Sequence, residues 1–117
     1  MSSVVIKSVD KQKVRSAVDQ YAARLLATRP EVLEVVVFGS FAKGNYAPGS
    51  DVDIFIRLSH SDKSVRDRIP DFLPGAFPVG IDLFPYTEEE MAELQSSPVL
   101  KAVRESVWRY VRGANVE

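Results

Sequence analysis

An α+β domain, with a small mixed β-sheet flanked by helices, is the fold class this sequence predicts. Three observations lead there. Short β-branched runs at Glu31–Phe38, Asp51–Leu58 and Val79–Phe84 are spaced between segments whose apolar residues recur at helical intervals. Stretches rich in Gly, Asn, Pro and Ser separate them. The 117 residues and a hydrophobic fraction of 45% suffice for one core and not two. Residues 1–117 are therefore expected to form a single domain.

Residues 10–28 read as an amphipathic helix, with Val14, Val18, Tyr21 and Leu25 on one face and Pro30 after its end. Glu31–Phe38 is short, β-branched and stopped by Gly39-Ser40, which predicts a buried strand. Residues 41–50 read as a turn region. From Asp51 to Leu58 the pattern alternates: Val52, Ile54, Ile56 and Leu58 share one face, while Asp51, Asp53 and Phe55 share the other. Residues 61–73 suggest a helix carried by Val65, Ile69 and Phe72, kinked or split by Pro70. A third strand is expected over Val79–Phe84, with Asp82 facing away from Val79, Ile81 and Leu83. Thr87-Glu88-Glu89-Glu90 has the form of a capping box and starts a helix. Ser97-Pro98 opens the last one, with Leu100, Val103, Val107 and Tyr110 as its stripe and Gly113 as its stop.

Composition removes several chemistries. There is no cysteine, which excludes disulfides, thiolate nucleophiles and thiolate metal sites. One histidine, His60, excludes multi-histidine zinc sites. Fifteen Lys and Arg face sixteen Asp and Glu, a balance that argues against stable binding of long nucleic acids. No apolar run approaches the ~20 residues of a membrane helix, and the first residues lack the apolar region of a signal peptide. No membrane association and a cytoplasmic location are expected.

The informative stretch runs from Gly39 to Asp53: a strand ends in Gly-Ser, and ten residues later Asp-x-Asp begins the next strand. A third aspartate, Asp82, stands in a later strand. Gly39 lets backbone N–H groups approach a phosphate, and Ser40 adds a hydroxyl donor. Lys43 adds a point charge. Ser50, next to Asp51, joins them as a nucleotide-binding candidate. Asp51 and Asp53 put two carboxylates on one face, where they repel unless a cation joins them. Mg²⁺ suits such a pair together with substrate phosphates. Asp82 completes a two-metal arrangement if its strand neighbours theirs. Taken singly these features are ordinary: a turn, solvated strand charge, an exposed aspartate. Their order is what points to nucleotide and metal.

Gly39-Ser40, ten residues, then Asp51-Val52-Asp53 resembles the signature of the nucleotidyltransferase superfamily with a polymerase-β-type palm, and the length is similar to its minimal nucleotidyltransferase branch. The resemblance implies that Gly39 and Ser40 bind the β and γ phosphates, with Lys43 where Arg is commoner. It implies that Asp51 and Asp53 bind two Mg²⁺ ions, and that Asp82 binds the catalytic one and helps deprotonate the acceptor. ATP is the implied donor. The branch also implies a HEPN-type ribonuclease toxin as partner, to which some members add AMP on a tyrosine. This chain lacks the HEPN pattern of Arg followed by His after four to six residues, since Arg57 stands three before His60. It is therefore expected to be the antitoxin. A transferase for a small hydroxylated acceptor and a non-catalytic NTP-binding antitoxin are the competing readings.

His60 reads as a surface-loop residue, and Trp108 and Tyr110 as core residues of the last helix. Phe72, Phe77, Phe84 and Tyr86 read as core, with one available to stack on a base. Arg57, Arg66, Arg68, Arg104, Arg109 and Arg112 read as solvated.

Overall fold

In the computed structural model, residues 10–45, 47 and 49–112 are described. Helix α1 (Lys11–Thr28) starts where the Asp10 carboxylate accepts from the backbone N–H groups of Gln12 and Lys13, both at 3.1 Å. It buries Val14, Val18, Tyr21, Ala22 and Leu25 and stops before Pro30. Then follow β1 (Val32–Phe38), α2 (Ser40–Lys43), β2 (Val52–Leu58), α3 (Val65–Phe72), β3 (Ile81–Thr87), α4 (Glu88–Glu93), α5 (Pro98–Glu105) and β4 (Trp108–Val111). None of the described helices is long and apolar enough to cross a membrane.

The strands form one sheet in the order β3-β2-β1-β4. β1 pairs antiparallel with both β2 and β4, and β2 pairs parallel with β3. Apolar residues cover both faces. Val35, Val37, Ile54, Ile56 and Leu58 pack with the α1 residues and Phe72. Val36, Phe38 and Phe55 pack on the other face with Leu100 and Val103 of α5. Two covered faces explain why β1 reads as a continuous apolar run and why Phe55, on the aspartate side of β2, is fully buried.

The structure corrects several expectations. The last helix ends at Glu105, and Trp108–Val111 forms β4. Val107 and Tyr110 therefore belong to no helical stripe; Val107 is 92% exposed. Ser106 makes the switch: its hydroxyl donates to the Val37 carbonyl at 2.5 Å and accepts from the Trp108 N–H at 3.2 Å. The free edge of β1 then accepts the β-prone Trp-Arg-Tyr-Val run. Gly113 lies outside the described residues. Residues 40–43 are not plain turn but one helical turn, closed by Gly44 at φ +78°. The third strand begins at Ile81 rather than Val79 and runs through Pro85 to Thr87, which an edge strand tolerates. Pro70 does not split α3; it sits in the last turn, and the helix ends two residues later.

Arg68 is a further correction. It is 3% exposed, not solvated. Its guanidinium donates to both Glu90 carboxylate oxygens at 2.7 and 2.8 Å and to the Pro85 and Lys63 carbonyls at 2.8 Å. Glu90 also accepts the Thr87 N–H, completing the expected capping box. Arg57, half-buried, and Arg109, exposed as expected, both grip Glu34, at 3.1 and 2.7 Å. Arg112 donates to the Arg29 and Val32 carbonyls at 2.8 and 2.6 Å. Trp108 and Tyr110 stand on β4, where the indole N–H donates to the Tyr110 hydroxyl at 2.8 Å.

Hydrogen bonds from Arg68, then the Thr87 N–H, lower Glu90 from its ordinary 4.5 to about 2. A depressed folded-state value means stability that is complete above pH 4.5 and lost as the pH falls towards 2. Arg68→Met leaves Glu90 without its partner. It should cost about 3 kcal/mol, the low end for a broken buried pair because Glu90 keeps some contact with water. Urea unfolding at neutral pH measures this, and Glu90→Gln should flatten the acid limb of the stability profile.

Candidate active site

The site grows from the ends of three neighbouring strands. β1 finishes at Phe38, and Gly39 turns the chain at φ +79°, a backbone region that L side chains rarely occupy. A second demand falls on the same residue: a Cβ there would lie 2.5 Å from Oδ2 of Asp53. Ser40 opens α2, and the Lys43 N–H donates back to the Gly39 carbonyl at 3.1 Å. Phe41, buried, pins this short turn to the core.

The chain returns through Ser50, whose N–H donates to the Ala47 carbonyl at 3.0 Å and whose hydroxyl accepts the Ala47 N–H at 3.1 Å. That loop delivers Asp51, exposed, to the edge of β3. There the Val52 N–H donates to the Gly80 carbonyl at 2.9 Å, and a Cβ on Gly80 would lie 2.3 Å from Asp51 Oδ1. Asp53 is half-buried in β2, opposite Phe38 of β1 and in register with Asp82 of β3. Side chains paired across parallel strands share a face, so Asp82 stands beside Asp53. Burial first, then the Asp82 and Asp51 charges, raises the Asp53 carboxyl above its ordinary range.

Thus the fold brings Gly39, Asp51, Asp53 and Asp82 to one end of the sheet, with Ser40 directly after Gly39. Lys43 is exposed at the end of α2, and no described carboxylate pairs with it. The Ser50 hydroxyl accepts from the loop backbone, which leaves its O–H as a donor. His60 is exposed, with its Nδ1 3.0 Å from the Ser59 hydroxyl. Gly80 is the site residue that the sequence reading passed over. Its signal was a glycine directly before the strand that carries the third aspartate.

Among the described residues no Lys or Arg forms an ion pair with Asp51, Asp53 or Asp82. Nor do three His, Cys, Asp or Glu side chains there make a ready metal cage. Oxygen donors without a neutralising partner are what a hard cation needs, and Mg²⁺ typically takes one or two carboxylates and completes its shell with water and phosphate. The donor set fits such an ion.

The nucleotidyltransferase domain model matches residues 18–108, over three-quarters of the chain. The chain belongs to the nucleotidyltransferase domain family. The matched span takes in every residue of the site and ends at the first residue of β4. The crystal structure of a candidate nucleotidyltransferase from Sulfolobus solfataricus superposes with a TM-score of 0.57 at 20% identity, covering 86% of this chain and 80% of that one. At that identity the likeness establishes the shared fold. A comparison with curated proteins found no match.

Two outcomes follow for this nucleotidyltransferase domain. Gly80→Ala should fold, because the atom it meets is the mobile end of one side chain, but it must push Asp51 aside. Displacements near 1 Å cost up to about 10²-fold at reacting centres. Transfer rate against an unchanged thermal midpoint checks this. Asp53→Asn should raise the thermal midpoint of the metal-free protein at neutral pH by a few degrees, since it removes a half-buried, mutually repelling charge. Added Mg²⁺ should narrow that difference by stabilising the wild type more.

Proposed function

We propose that this domain transfers a nucleoside monophosphate, AMP in the first instance, from Mg²⁺-bound ATP to a hydroxyl of a partner protein. The partner in this reading is a HEPN-type ribonuclease toxin, and the domain acts in the cytoplasm as its antitoxin. The observation that carries the transfer chemistry is the parallel register of Asp53 with Asp82, with Asp51 two residues before Asp53 and the Gly39 backbone against its carboxylate. The partner assignment rests on the resemblance to the minimal branch.

Asp51 and Asp53 are the residues that would hold the cation shared with the triphosphate, and Asp82 would share the one nearest the acceptor. When bound, such ions neutralise charge on the transferring phosphoryl group and on the leaving diphosphate. The chain's own residues do the rest. Gly39 keeps the turn open so that backbone N–H groups reach the β and γ oxygens, and the Ser40 hydroxyl adds a donor to them. Lys43, free of carboxylate partners among the described residues, extends a positive charge towards the same oxygens. Ser50 holds the loop that sets the height of Asp51. Asp82, exposed and beside Asp53, accepts the proton as the acceptor oxygen attacks the α phosphorus.

Asp82→Asn separates these tasks. It should leave ATP affinity within a few-fold and lower kcat by about 10²–10⁴, the usual contribution of a positioned base. Incubation with labelled ATP and the toxin, beside direct ATP binding, measures both. Transfer at the wild-type rate would remove Asp82 from the mechanism, and an equal loss of ATP binding would make it a donor-site residue instead.

A further inference from the structure

A concavity lies against the turn that ends at Lys43. It has a volume of about 350 Å³ and is walled by the first turns of α1, by α2 and by the start of β4. That volume falls within the usual range for a ligand site. Trp108 and Phe41 contribute its apolar surface, while Lys11, Arg15 and Lys43 surround it, and among the described residues that line it none is Asp or Glu. In a chain with net charge −1 this is a local reversal of sign.

The cations there are poorly occupied. Among the described residues no carboxylate pairs with Lys11 or Lys43. Arg15 faces Asp19 at 3.7 Å, beyond a hydrogen bond, while its guanidinium lies 4.4 Å from the Trp108 ring centre. An arginine held over an aromatic ring has further N–H donors that can meet a second carboxylate. The first turn of α1 carries Lys11 and Lys13, and the Asp10 cap already meets the N–H groups of Gln12 and Lys13, so the side-chain cations, not the helix end, are what an anion would meet here.

Position connects this cavity to the transfer site. Ala42 and Lys43 line it, and both also line a smaller concavity of about 100 Å³ that reaches Gly39. One helical turn, about 5 Å of rise, separates Lys43 from the glycine that touches Asp53. We propose that the cavity is a docking site for an acidic peptide segment of the acceptor protein, lying a few residues from the hydroxyl that is modified. The acceptor itself is taken from the reading above. The cavity is small and the charge balance of the chain is slightly acidic, so a short acidic segment fits it better than a polynucleotide.

Trp108 is the single tryptophan of the chain, so its fluorescence reports this cavity directly. The probe is a pentapeptide of four glutamates around one tyrosine, with its glutamine analogue as control and a short oligoribonucleotide and Mg·ATP as competitors. The acidic peptide should shift Trp108 emission saturably and the analogue should not. Lys11→Glu with Arg15→Glu should weaken the peptide at least tenfold and leave Mg·ATP affinity unchanged. Both side chains are exposed, and acid at position 11 lies in the first turn and favours the helix, which offsets the like-charge pair that a glutamate at position 15 would make with Asp19, so the variant should fold. In transfer to the toxin, the same variant should raise KM for the toxin with kcat retained. Equal response to the glutamine analogue, or displacement of the peptide by the oligoribonucleotide or ATP at lower concentration, would overturn the inference. If the wild type modifies the toxin and the variant's KM is unchanged, the docking site falls and the transfer reading stands. If the peptide binds while no protein is modified, the docking site stands and the transfer reading falls.

Discussion

A parallel pair of strands cannot be joined by a tight turn, so the chain between Leu58 and Ile81 must cross over the sheet, and the position of Asp82 rests on how that crossover is held. Several contacts hold it. The Tyr21 hydroxyl donates to the Phe72 carbonyl at 2.5 Å, fixing the end of α3 to α1. Arg29 donates to the Asp71 carbonyl at 2.7 Å. Arg68 ties the middle of α3 to Pro85 on β3 and to Glu90 on α4. With those points held, β3 pairs with β2 in the register that sets Asp82 beside Asp53.

The distribution of ion pairs separates framework from site. Glu34, mostly buried, is gripped by two arginines, and Glu90 by one in a two-pronged contact. These carboxylates are fully partnered and hold elements together. Asp51, Asp53 and Asp82 are the opposite case, with mutual repulsion and no described cation. A fold retains such an arrangement at a cost in stability, which binding of a cation and a phosphate can offset. The contrast lies within one sheet: on β2, Asp53 and Arg57 point to the same face four residues apart, one in the site and the other in the framework.

Two regions of opposite sign adjoin the Gly39–Lys43 turn: at Gly39 the aspartates crowd against backbone, and at Lys43 the cations Lys11 and Arg15 gather with it around Trp108. β4 contributes Trp108 to the second region. Its addition to the free edge of β1 brings Trp108 over the start of α1, where Arg15 stacks on it.

Much of the site was legible in the sequence because its signals are local. Spacing of two on a strand puts Asp51 and Asp53 on one face whatever surrounds them. Thr87 to Glu90 forms a capping box from four adjacent residues, and Gly39 announces a turn through its own missing side chain. The sequence by itself determined the mixed α and β class and the first three strands, and it put Asp51 and Asp53 on one face of the second. Tertiary structure decided what depends on distant partners. Trp108–Val111 has apolar residues that suit either period, and the unpaired edge of β1 selected the strand. Arg68 looks like any surface arginine until Pro85 and Glu90 arrive from β3 and α4 to bury it. Gly80 reads as an ordinary loop glycine, and its purpose exists once Asp51 lies against it. Local propensity acts within a few residues, whereas register, edge pairing and the burial of charge are settled between segments that meet after the chain has folded.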